Sequence, residues 1–393
     1  MPLLPSVFAQ ITSTLHPEEF ARCARLFPTR RPPRGLTEYD QFLALCFGQL
    51  TYRESLRDIV ACLQAKPGLL YHLGFRGYLS RTNLAYANGH RDWRLFQALA
   101  EVLMRRAARL YQEQPADSEL PQVAFALDSS IISLSLSLFP WGYYALSTQA
   151  ALKLHVMLSL QGNWPAWAAL TEANFPDMKI LDQLPATPGA YYVMDRGYLD
   201  FVRLFRLQQS GAFFVVRNKR PVKFRVRVSR PVDKSTGLRC DQTIQLTSNW
   251  SVKSYPHPLR RVRLYDTENQ VALVLLTNQF ELPVAMIGEL YRKRWQIELF
   301  FRWIKQHLRI RSFYGRSPNA VRSQIWSAIG SYLMVAIIRK QLKLQKTLNE
   351  MLQIVSVNIF EQTPLAELLA SQPEGVSPQT EEHPFQKLLP LKG

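Results

Sequence analysis

Two short apolar runs, each ending in an aspartate, constrain the fold of this chain most. One run extends from Val123 to Asp128 and the other from Ala190 to Asp195. Apolar runs of this length predict short, buried strands. Further strand candidates lie at 153–160, 166–170 and 213–216, with helix candidates at 178–184 and 198–209 between them. This order of strands and helices predicts a mixed α/β sheet.

The aspartates that end the two runs are candidates for a functional site. A carboxylate at the end of a strand is held by a fixed backbone and points out of the sheet edge. Asp128 and Asp195 have similar contexts, which favours a paired role. An aspartate in this position is also typical of a cap or a turn, and that alternative stays open for each one. We interpret three other acids, Asp177, Asp182 and Asp200, as caps.

A third acid lies in a strongly basic segment. Between Tyr291 and Arg322, Glu298 is the single acid among nine Lys and Arg residues. Apart from Gly288, no Gly or Pro interrupts residues 284–311, which predicts a helix. At about 100° per residue, Tyr291, Arg294, Glu298 and Lys305 fall on one stripe roughly 60° wide. The alternative is an amphipathic helix whose glutamate has no chemical role.

Three carboxylates from separate elements can together hold a pair of divalent cations. Two such ions, roughly 3.5–4 Å apart, activate an attacking oxygen and stabilise a leaving oxygen. Asp128, Asp195 and Glu298 therefore predict metal-assisted cleavage of phosphodiesters. The seven histidines form no cluster with ligand spacing, and no glycine-rich phosphate loop is present, so ATP use is not indicated.

The charge of the chain predicts a polyanionic partner. The formal net charge is +18 over 393 residues, of which 47% are hydrophobic, so the positive charge belongs to a folded protein. Seven basic residues without an intervening acid lie between 217 and 230, and they include Lys219 and Arg220. This segment predicts a basic ribbon along a phosphate backbone, or alternatively a solvated edge strand protected by charge.

The pattern along the chain predicts four regions. Residues 1–116 carry helix-period segments at 7–26, 37–63 and 93–111 and are predicted to be a helical DNA-binding domain. Within it, 81–88 resembles a turn entering a recognition helix, although a helical scaffold with a solvated basic face fits equally well. After a polar linker at 114–118, residues 119–219 and 286–345 form the α/β domain. A β-rich insertion occupies 220–285, and residues 346–393 form a further helix and a flexible tail.

Other features predict a cytosolic protein without a membrane segment. The four cysteines show no CxxC pairing and are predicted to be reduced thiols. The N-terminus lacks the pattern of a signal peptide. The longest apolar run, 325–338, is shorter than the ~20 residues of a membrane span and predicts a buried helix.

The motif Tyr291-x2-Arg294-x3-Glu298-x6-Lys305 resembles the Tyr-Arg-Glu-Lys motif of bacterial insertion-sequence transposases, in the group named after insertion sequence four. Residues 128–130 (Asp-Ser-Ser) are similar to the Asp-Ser-Thr of that family, and 192–198 to its second aspartate segment. Segments at 56–59, 71–74 and 84–88 resemble the helical domain that precedes the catalytic domain in one branch. The resemblance covers the chain from about Phe8 to Glu367.

The resemblance implies an RNase H-like core with a β-rich insertion and a triad of Asp128, Asp195 and Glu298 binding two Mg²⁺ ions, which Mn²⁺ can replace. It implies cleavage at the terminal inverted repeats of an insertion sequence and joining of the ends to target DNA, with hairpin ends in the best-understood members. The chain would act on double-stranded DNA as a homodimer, in the bacterial cytoplasm near the nucleoid. The implied DNA contacts are phosphate contacts by Tyr291, Arg294 and Lys305 and base stacking by Trp295. Arg302, and Lys219 and Arg220 of the basic segment, are further predicted DNA contacts.

Two departures from the family pattern leave alternatives open. The family often has His-Asp where this chain has Pro176-Asp177, and the segment 143–148 is less basic than expected. One alternative is a catalytically inactive, transposase-derived DNA-binding protein. The other is an RNase H-like structure-specific nuclease.

Overall fold

A nine-stranded mixed sheet runs through the molecule. The computed structural model describes residues 4–29, 35–113, 121, 123–142, 150–218, 221–266, 270–307 and 313–370. The strands lie in the order β3-β2-β1-β4-β5-β9-β8-β7-β6. Their bounds are β1 (Ala124–Leu134), β2 (Ala150–Ser159), β3 (Pro165–Glu172), β4 (Tyr191–Met194), β5 (Phe213–Arg217), β6 (Phe224–Arg230), β7 (Leu238–Leu246), β8 (Leu259–Asp266) and β9 (Val271–Thr277).

The first five strands have the arrangement of an RNase H-like fold. Strands β1, β2 and β3 form an antiparallel meander, and β4 and β5 add to β1 in parallel. All five strands predicted from the sequence are present, so the predicted fold class is confirmed.

The strands predicted as a β-rich insertion continue the same sheet. Strand β9 pairs antiparallel with β5, and β8, β7 and β6 follow as an antiparallel extension. A buried ion pair between Arg260 and Asp241, 2.8 Å apart, joins β8 to β7. Arg260 also donates to the carbonyl of Leu282 at 2.6 Å, which fixes the end of the extension to the chain that follows it.

Fourteen helices are described, and short 3₁₀ turns cover 140–142, 177–182, 196–198 and 234–236. The helices are α1 (Val7–Thr12), α2 (Pro17–Leu26), α3 (Glu38–Leu50), α4 (Leu56–Gln64), α5 (Pro67–Leu70), α6 (Arg81–His90), α7 (Arg94–Glu113), α8 (Phe201–Gln209), α9 (Asn249–Ser254), α10 (Val284–Lys293), α11 (Trp295–His307), α12 (Pro318–Gln341), α13 (Leu348–Asn358) and α14 (Leu365–Ala370).

Several predicted helices are shorter than expected. The segment 7–26 is divided into α1 and α2, because His16 caps a new helix with Pro17 in its first turn. The segment 37–63 is divided into α3 and α4, because the Ser55 hydroxyl caps α4. The helix expected at 178–184 is the 3₁₀ turn 177–182, and the one expected from 198 begins at Phe201. The predicted linker at 114–118 and most of the predicted tail lie outside the described residues.

Helix α12 is the centre of the larger hydrophobic core. It is long and apolar enough to cross a bilayer by length and composition, but 94% of its most apolar window is buried inside the fold, as expected for a core helix. One continuous core joins the N-terminal helices, α11, α12 and one face of the sheet. A smaller core lies on the other face, under α8. The predicted buried helix at 325–338 is therefore confirmed as part of α12.

Candidate active site

The two aspartates lie side by side on one face of the sheet. Strand β1 pairs in parallel with β4, and the last paired residues are Leu127 and Met194. Asp128 and Asp195 each follow directly, so the same register places them next to each other. Side chains alternate along a strand, and Ala126 and Val193, two residues earlier, both face the larger core. Both carboxylates are therefore directed toward the face that α11 covers.

The position of Asp128 within its strand differs from the prediction. The apolar run ends at Asp128, but β1 continues to Leu134 and pairs with β2 along its whole length. Asp128 thus lies in the middle of a strand, while Asp195 follows the end of β4. Asp128 is paired with Val156 of β2, while the pairing of β1 with β4 ends one residue earlier, at Leu127.

The predicted single helix at 284–311 is divided at Arg294. The Arg294 N–H donates to the Tyr291 carbonyl at 3.2 Å, and the Ile297 N–H donates to the Arg294 carbonyl at 3.1 Å. These bonds span three residues, so the turn is tightened as in a 3₁₀ helix. The backbone of Arg294 stays in the right-handed helical region (φ −51°, ψ −30°). Residues on the predicted stripe therefore still share one side.

Arg294 connects the glutamate to one of the aspartates. Its Nη2 lies 2.7 Å from Oε1 of Glu298, and its Nη1 lies 3.2 Å from Oδ2 of Asp128. The arginine side chain is only 13% exposed. One guanidinium thus carries the positive charge between two carboxylates that are 170 residues apart in sequence.

Tyr291 completes the cluster on the Asp195 side. Its hydroxyl donates to Oδ1 of Asp195 at 3.1 Å. Burial raises the pKa of the Tyr291 hydroxyl to about 12, so the group stays a neutral hydrogen-bond donor near neutral pH. The structure thus brings together Asp128, Asp195, Glu298, Tyr291 and Arg294.

The environment of Asp128 disfavours its charge. Burial raises the pKa of its carboxyl to about 6, although the Arg294 guanidinium and a hydrogen bond from the Ser129 N–H act in the opposite direction. For Arg294, burial lowers the pKa, but interactions with Tyr291, Asp128 and Glu298 outweigh it and hold the pKa above its ordinary value. The site is therefore a desolvated acidic pocket with one fixed cation.

The remaining predicted residues lie elsewhere on α11 or outside the described residues. Trp295 is 45% exposed, and Arg302 is exposed. Lys305 is partly buried, and desolvation lowers its pKa. Within the described residues, no ion pair joins Lys305 to the three carboxylates. Lys219 and Arg220 lie outside the described residues.

The three carboxylates have the chemistry of a divalent-cation site. Oxygen ligands from Asp and Glu are those that Mg²⁺ prefers. Across the described ranges, no three acidic, histidine or cysteine side chains are yet close enough to bind one ion together. Arg294 lies between Asp128 and Glu298 and is the counter-ion of both. By the chemistry of this donor set, three carboxylates, the residues fit a divalent ion.

A polar network on the opposite face of the sheet was not predicted. The Ser129 hydroxyl donates to Oδ1 of Asp177 at 2.7 Å, and Nζ of Lys153 lies 3.1 Å from the same oxygen. Asp177 was interpreted as a cap, which is wrong, because its carboxylate supports β1 directly behind Asp128. No local sequence pattern indicated this role, because the partners of Asp177 are distant in sequence. Asp200 does cap α8, as predicted. The interpretation of Asp182 as a cap is wrong, because it ends the turn 177–182 and its carboxylate pairs with Arg203.

Two family models match parts of this chain. Residues 119–334, more than half of the chain, match the family model described as "Transposase DDE domain". Residues 5–76 match a domain of unknown function (DUF4372). Among solved structures, the chain is similar to the cryo-EM structure of the piggyBac transposase synaptic complex with hairpin DNA. That match has 11% identity, covers 89% of this chain and 90% of the other, and has a TM-score of 0.39.

Three curated relatives carry transposase names. A transposase of Sinorhizobium fredii is 33% identical over 58% of this chain and 64% of its own length. The transposase for insertion sequence element IS5377 of Geobacillus stearothermophilus is 29% identical over 57% and 59%. The transposase for element IS4SA of Synechocystis is 24% identical over 64% and 70%. The chain thus spans less than two thirds of the first two relatives, but on the match of its catalytic segment it belongs to the DDE transposase family.

Proposed function

We propose that this chain is a DNA transposase that binds the terminal inverted repeats of an insertion sequence, cleaves its ends and joins them to target DNA. The observation that carries the proposal is that two aspartates from neighbouring parallel strands lie on one face of the sheet, where Arg294 connects one of them to a glutamate of α11. Family membership and the insertion-sequence relatives support it.

The three carboxylates would hold the metal. We propose two Mg²⁺ ions, replaceable by Mn²⁺, with Asp128, Asp195 and Glu298 as ligands. When bound, such ions would activate the attacking oxygen and stabilise the leaving oxygen of the phosphodiester. The hard oxygen donors and the arginine that lies between two of them as a substitute cation support this assignment.

The chain's own residues would position the DNA strand. Arg294 donates a hydrogen bond to Asp128, and Tyr291 donates one to Asp195. When these two side chains leave the carboxylates, they would bind a phosphate next to the cut. Lys305 and Arg302 follow on α11 and would contact phosphates farther along. Trp295, with its exposed indole, would stack on a displaced base, as a hairpin end requires.

The sheet extension would add contacts to the DNA backbone. Arg225 and Arg227 of β6 are exposed, and β6 is the edge strand of the sheet. Binding through such residues releases counterions, so affinity for duplex DNA is expected to fall steeply with salt. Replacing both arginines by glutamine should reduce the slope of log affinity against log salt by about two. An unchanged slope would remove β6 from the interface.

The test of the proposed chemistry uses duplexes that end in the inverted repeat beside this coding sequence. Wild-type protein with MgCl₂ is expected to cleave the ends and to join the 3′-hydroxyl to a second duplex. The Glu298→Gln variant should bind these duplexes as wild type does and leave them intact. Glu289→Gln is the matched control, because Glu289 on α10 pairs with Lys293 at the surface. This variant should cleave the ends as wild type does.

The outcomes separate the alternative functions. Cleavage without joining would indicate a structure-specific nuclease. Binding without cleavage would indicate a DNA-binding protein derived from a transposase. Normal cleavage by Glu298→Gln would exclude Glu298 from the site. Elution as a dimer when the protein is bound to end duplexes would support a homodimer in the DNA complex.

A further inference from the structure

The exposed face of α6 is an acid-free surface far from the carboxylate site in sequence. Between Ile59 and Arg91 the chain contains no Asp or Glu, while it contains Lys66, Arg76, Arg81 and two histidines. The other N-terminal helices of eight residues or more, α2, α3, α4 and α7, each contain at least one acid. A surface of this charge favours a polyanion.

The α6 face is shaped for close approach to a partner. We define it as the exposed side of α6, formed by Arg81, Thr82, Ala85, Tyr86, Gly89 and His90. The middle of this face carries only the small residues Ala85 and Gly89, and a Cβ added at Gly89 would meet no atom within 4 Å. An α-helix about 10–12 Å in diameter fits a major groove about 12 Å wide.

Polar and aromatic groups project from the two ends of this face. Arg81 lies at the first turn, where recognition helices contact base edges. At the other end, the rings of Tyr86 and His90 stack with centroids 4.0 Å apart. His90 Nδ1 donates to the Tyr86 carbonyl at 2.9 Å, which fixes the imidazole and directs Nε2 away from this bond.

The buried side of α6 is held firmly. Leu84, Ala87 and Asn88 are buried, and Gln41 of α3 donates to Asn88 Oδ1 at 2.7 Å. Asn319 in the first turn of α12 donates to the carbonyls of Asn88 and Arg91 at 2.9 and 2.5 Å. The end of α6 is therefore tied to the central helix of the core.

The loop that leads into α6 is also fixed. The buried Asp40 accepts a hydrogen bond from the Arg76 N–H at 2.8 Å. A Cβ at Gly77 would overlap the Gly35 carbonyl and the Asp40 carboxylate, so this close approach requires glycine. Asp92, the first acid after α6, is paired with Arg94 at 2.5 Å and does not cancel the positive field of the face.

We propose that α6 is the helix that enters the major groove of duplex DNA and recognises its sequence. Arg81 and Thr82 contact base edges, and Tyr86 and His90 contact the sugar-phosphate border of the groove. This inference rests on the proposed function, since it assigns to α6 the recognition of the DNA that the carboxylate site would cut. The rigid connection to α12 then fixes where the recognised sequence lies relative to the catalytic sheet.

The experiment is selection of DNA by the full-length protein, in EDTA, from duplexes with a randomised central segment. Wild-type protein is expected to enrich a sequence motif. Arg81→Lys keeps the charge but loses the planar fork that pairs with guanine, and Thr82→Val keeps the shape but loses the hydroxyl. Each should change the preferred base at one or two positions and weaken binding to the wild-type motif by roughly tenfold, with the salt slope unchanged. Arg109→Ala, an exposed arginine on α7, is the matched control and should select the wild-type motif.

The outcomes distinguish this inference from the proposed function. If Arg81→Lys and Thr82→Val enrich the wild-type motif with wild-type affinity, α6 does not recognise bases, while end cleavage can still stand. If wild type binds no duplex at all, both proposals fall. If the α6 face binds another protein instead, the variants would leave the selected DNA motif unaltered, which also overturns the inference.

Discussion

Replacing Asp128 by asparagine should stabilise the metal-free protein at pH values above 6. The fold raises the pKa of this carboxyl from 3.8 to about 6, chiefly through burial. At higher pH the side chain is charged in a place that prefers its neutral form. Asparagine has nearly the same shape and carries no charge, so the variant avoids that cost.

The sign and the size follow from the same shift. Because the folded pKa is above the unfolded one, the group contributes stability that is complete below pH 3.8 and is lost as pH rises through about 6. The shift of about two pKa units corresponds to a loss of roughly 3 kcal/mol in the free energy of unfolding. Relative to wild type, Asp128→Asn should therefore gain up to about 3 kcal/mol in free energy of unfolding above pH 6, and the gain should shrink toward pH 4.

The assay is denaturant unfolding across this pH range, in EDTA and in excess MgCl₂. In EDTA the variant should be the more stable protein at high pH. In MgCl₂ the difference in free energy of unfolding between the variant and wild type should become smaller or change sign, because an ion that binds only the folded state stabilises wild type and not the variant. Asp182→Asn, at an exposed ion pair, is the control and should change stability by less than about 1 kcal/mol. A variant less stable than wild type at high pH in EDTA would refute a desolvated Asp128.

Three further outcomes are expected. Arg294→Gln removes the substitute cation, so it should bind Mn²⁺ more tightly by calorimetry, although it should lose end cleavage; weaker Mn²⁺ binding would contradict the assigned position. Burial lowers the pKa of His155 to about 4. The stability that the neutral imidazole contributes is therefore present above about pH 6.5 and is lost as pH falls through 4. His155→Gln should remove up to roughly 3 kcal/mol of this pH dependence of the free energy of unfolding. Asp177→Asn loses the charge of its pair with Lys153, and it should cost about 1–3 kcal/mol of stability and weaken Mn²⁺ binding; unchanged Mn²⁺ affinity would make the pair purely structural.

Apolar runs predicted the centres of the strands but not their full extent. The runs ending at Asp128 and Asp195 mark β1 and β4 because both strands are buried up to these residues. Beyond Asp128, strand β1 carries three partly exposed serines and the exposed Ile131, so the apolar run did not continue there. Hydrogen bonds to β2 extend it, and that pairing depends on residues 16 to 26 positions away.

Local capping signals would have corrected the N-terminal helices. The histidine before Pro17 and the serine before Leu56 each begin a new helix, and both are visible in the sequence. The tightened turn at Arg294 has no such signal, because no Gly or Pro is present there. It follows from tertiary contacts, since the arginine reaches across to a carboxylate on β1. The Asp177 network was hidden for the same reason, as its partners lie 48 and 24 residues away.

The position of Arg294 accounts for how a cluster of acids persists in the folded chain without a metal. The nearby carboxylates of Glu298 and Asp195 add to the cost of charging the buried Asp128, and removing a buried counter-charge from such a group is costly. The Arg294 guanidinium between Asp128 and Glu298 offsets that cost, and the Tyr291 hydroxyl donates a hydrogen bond to Asp195. Arg294 and Tyr291 both belong to the motif that resembles the family signature. The same two side chains would therefore stabilise the metal-free site and bind phosphate. Arginine and a divalent cation then compete for the same two carboxylates, and release of Arg294 toward the DNA would accompany assembly of the site.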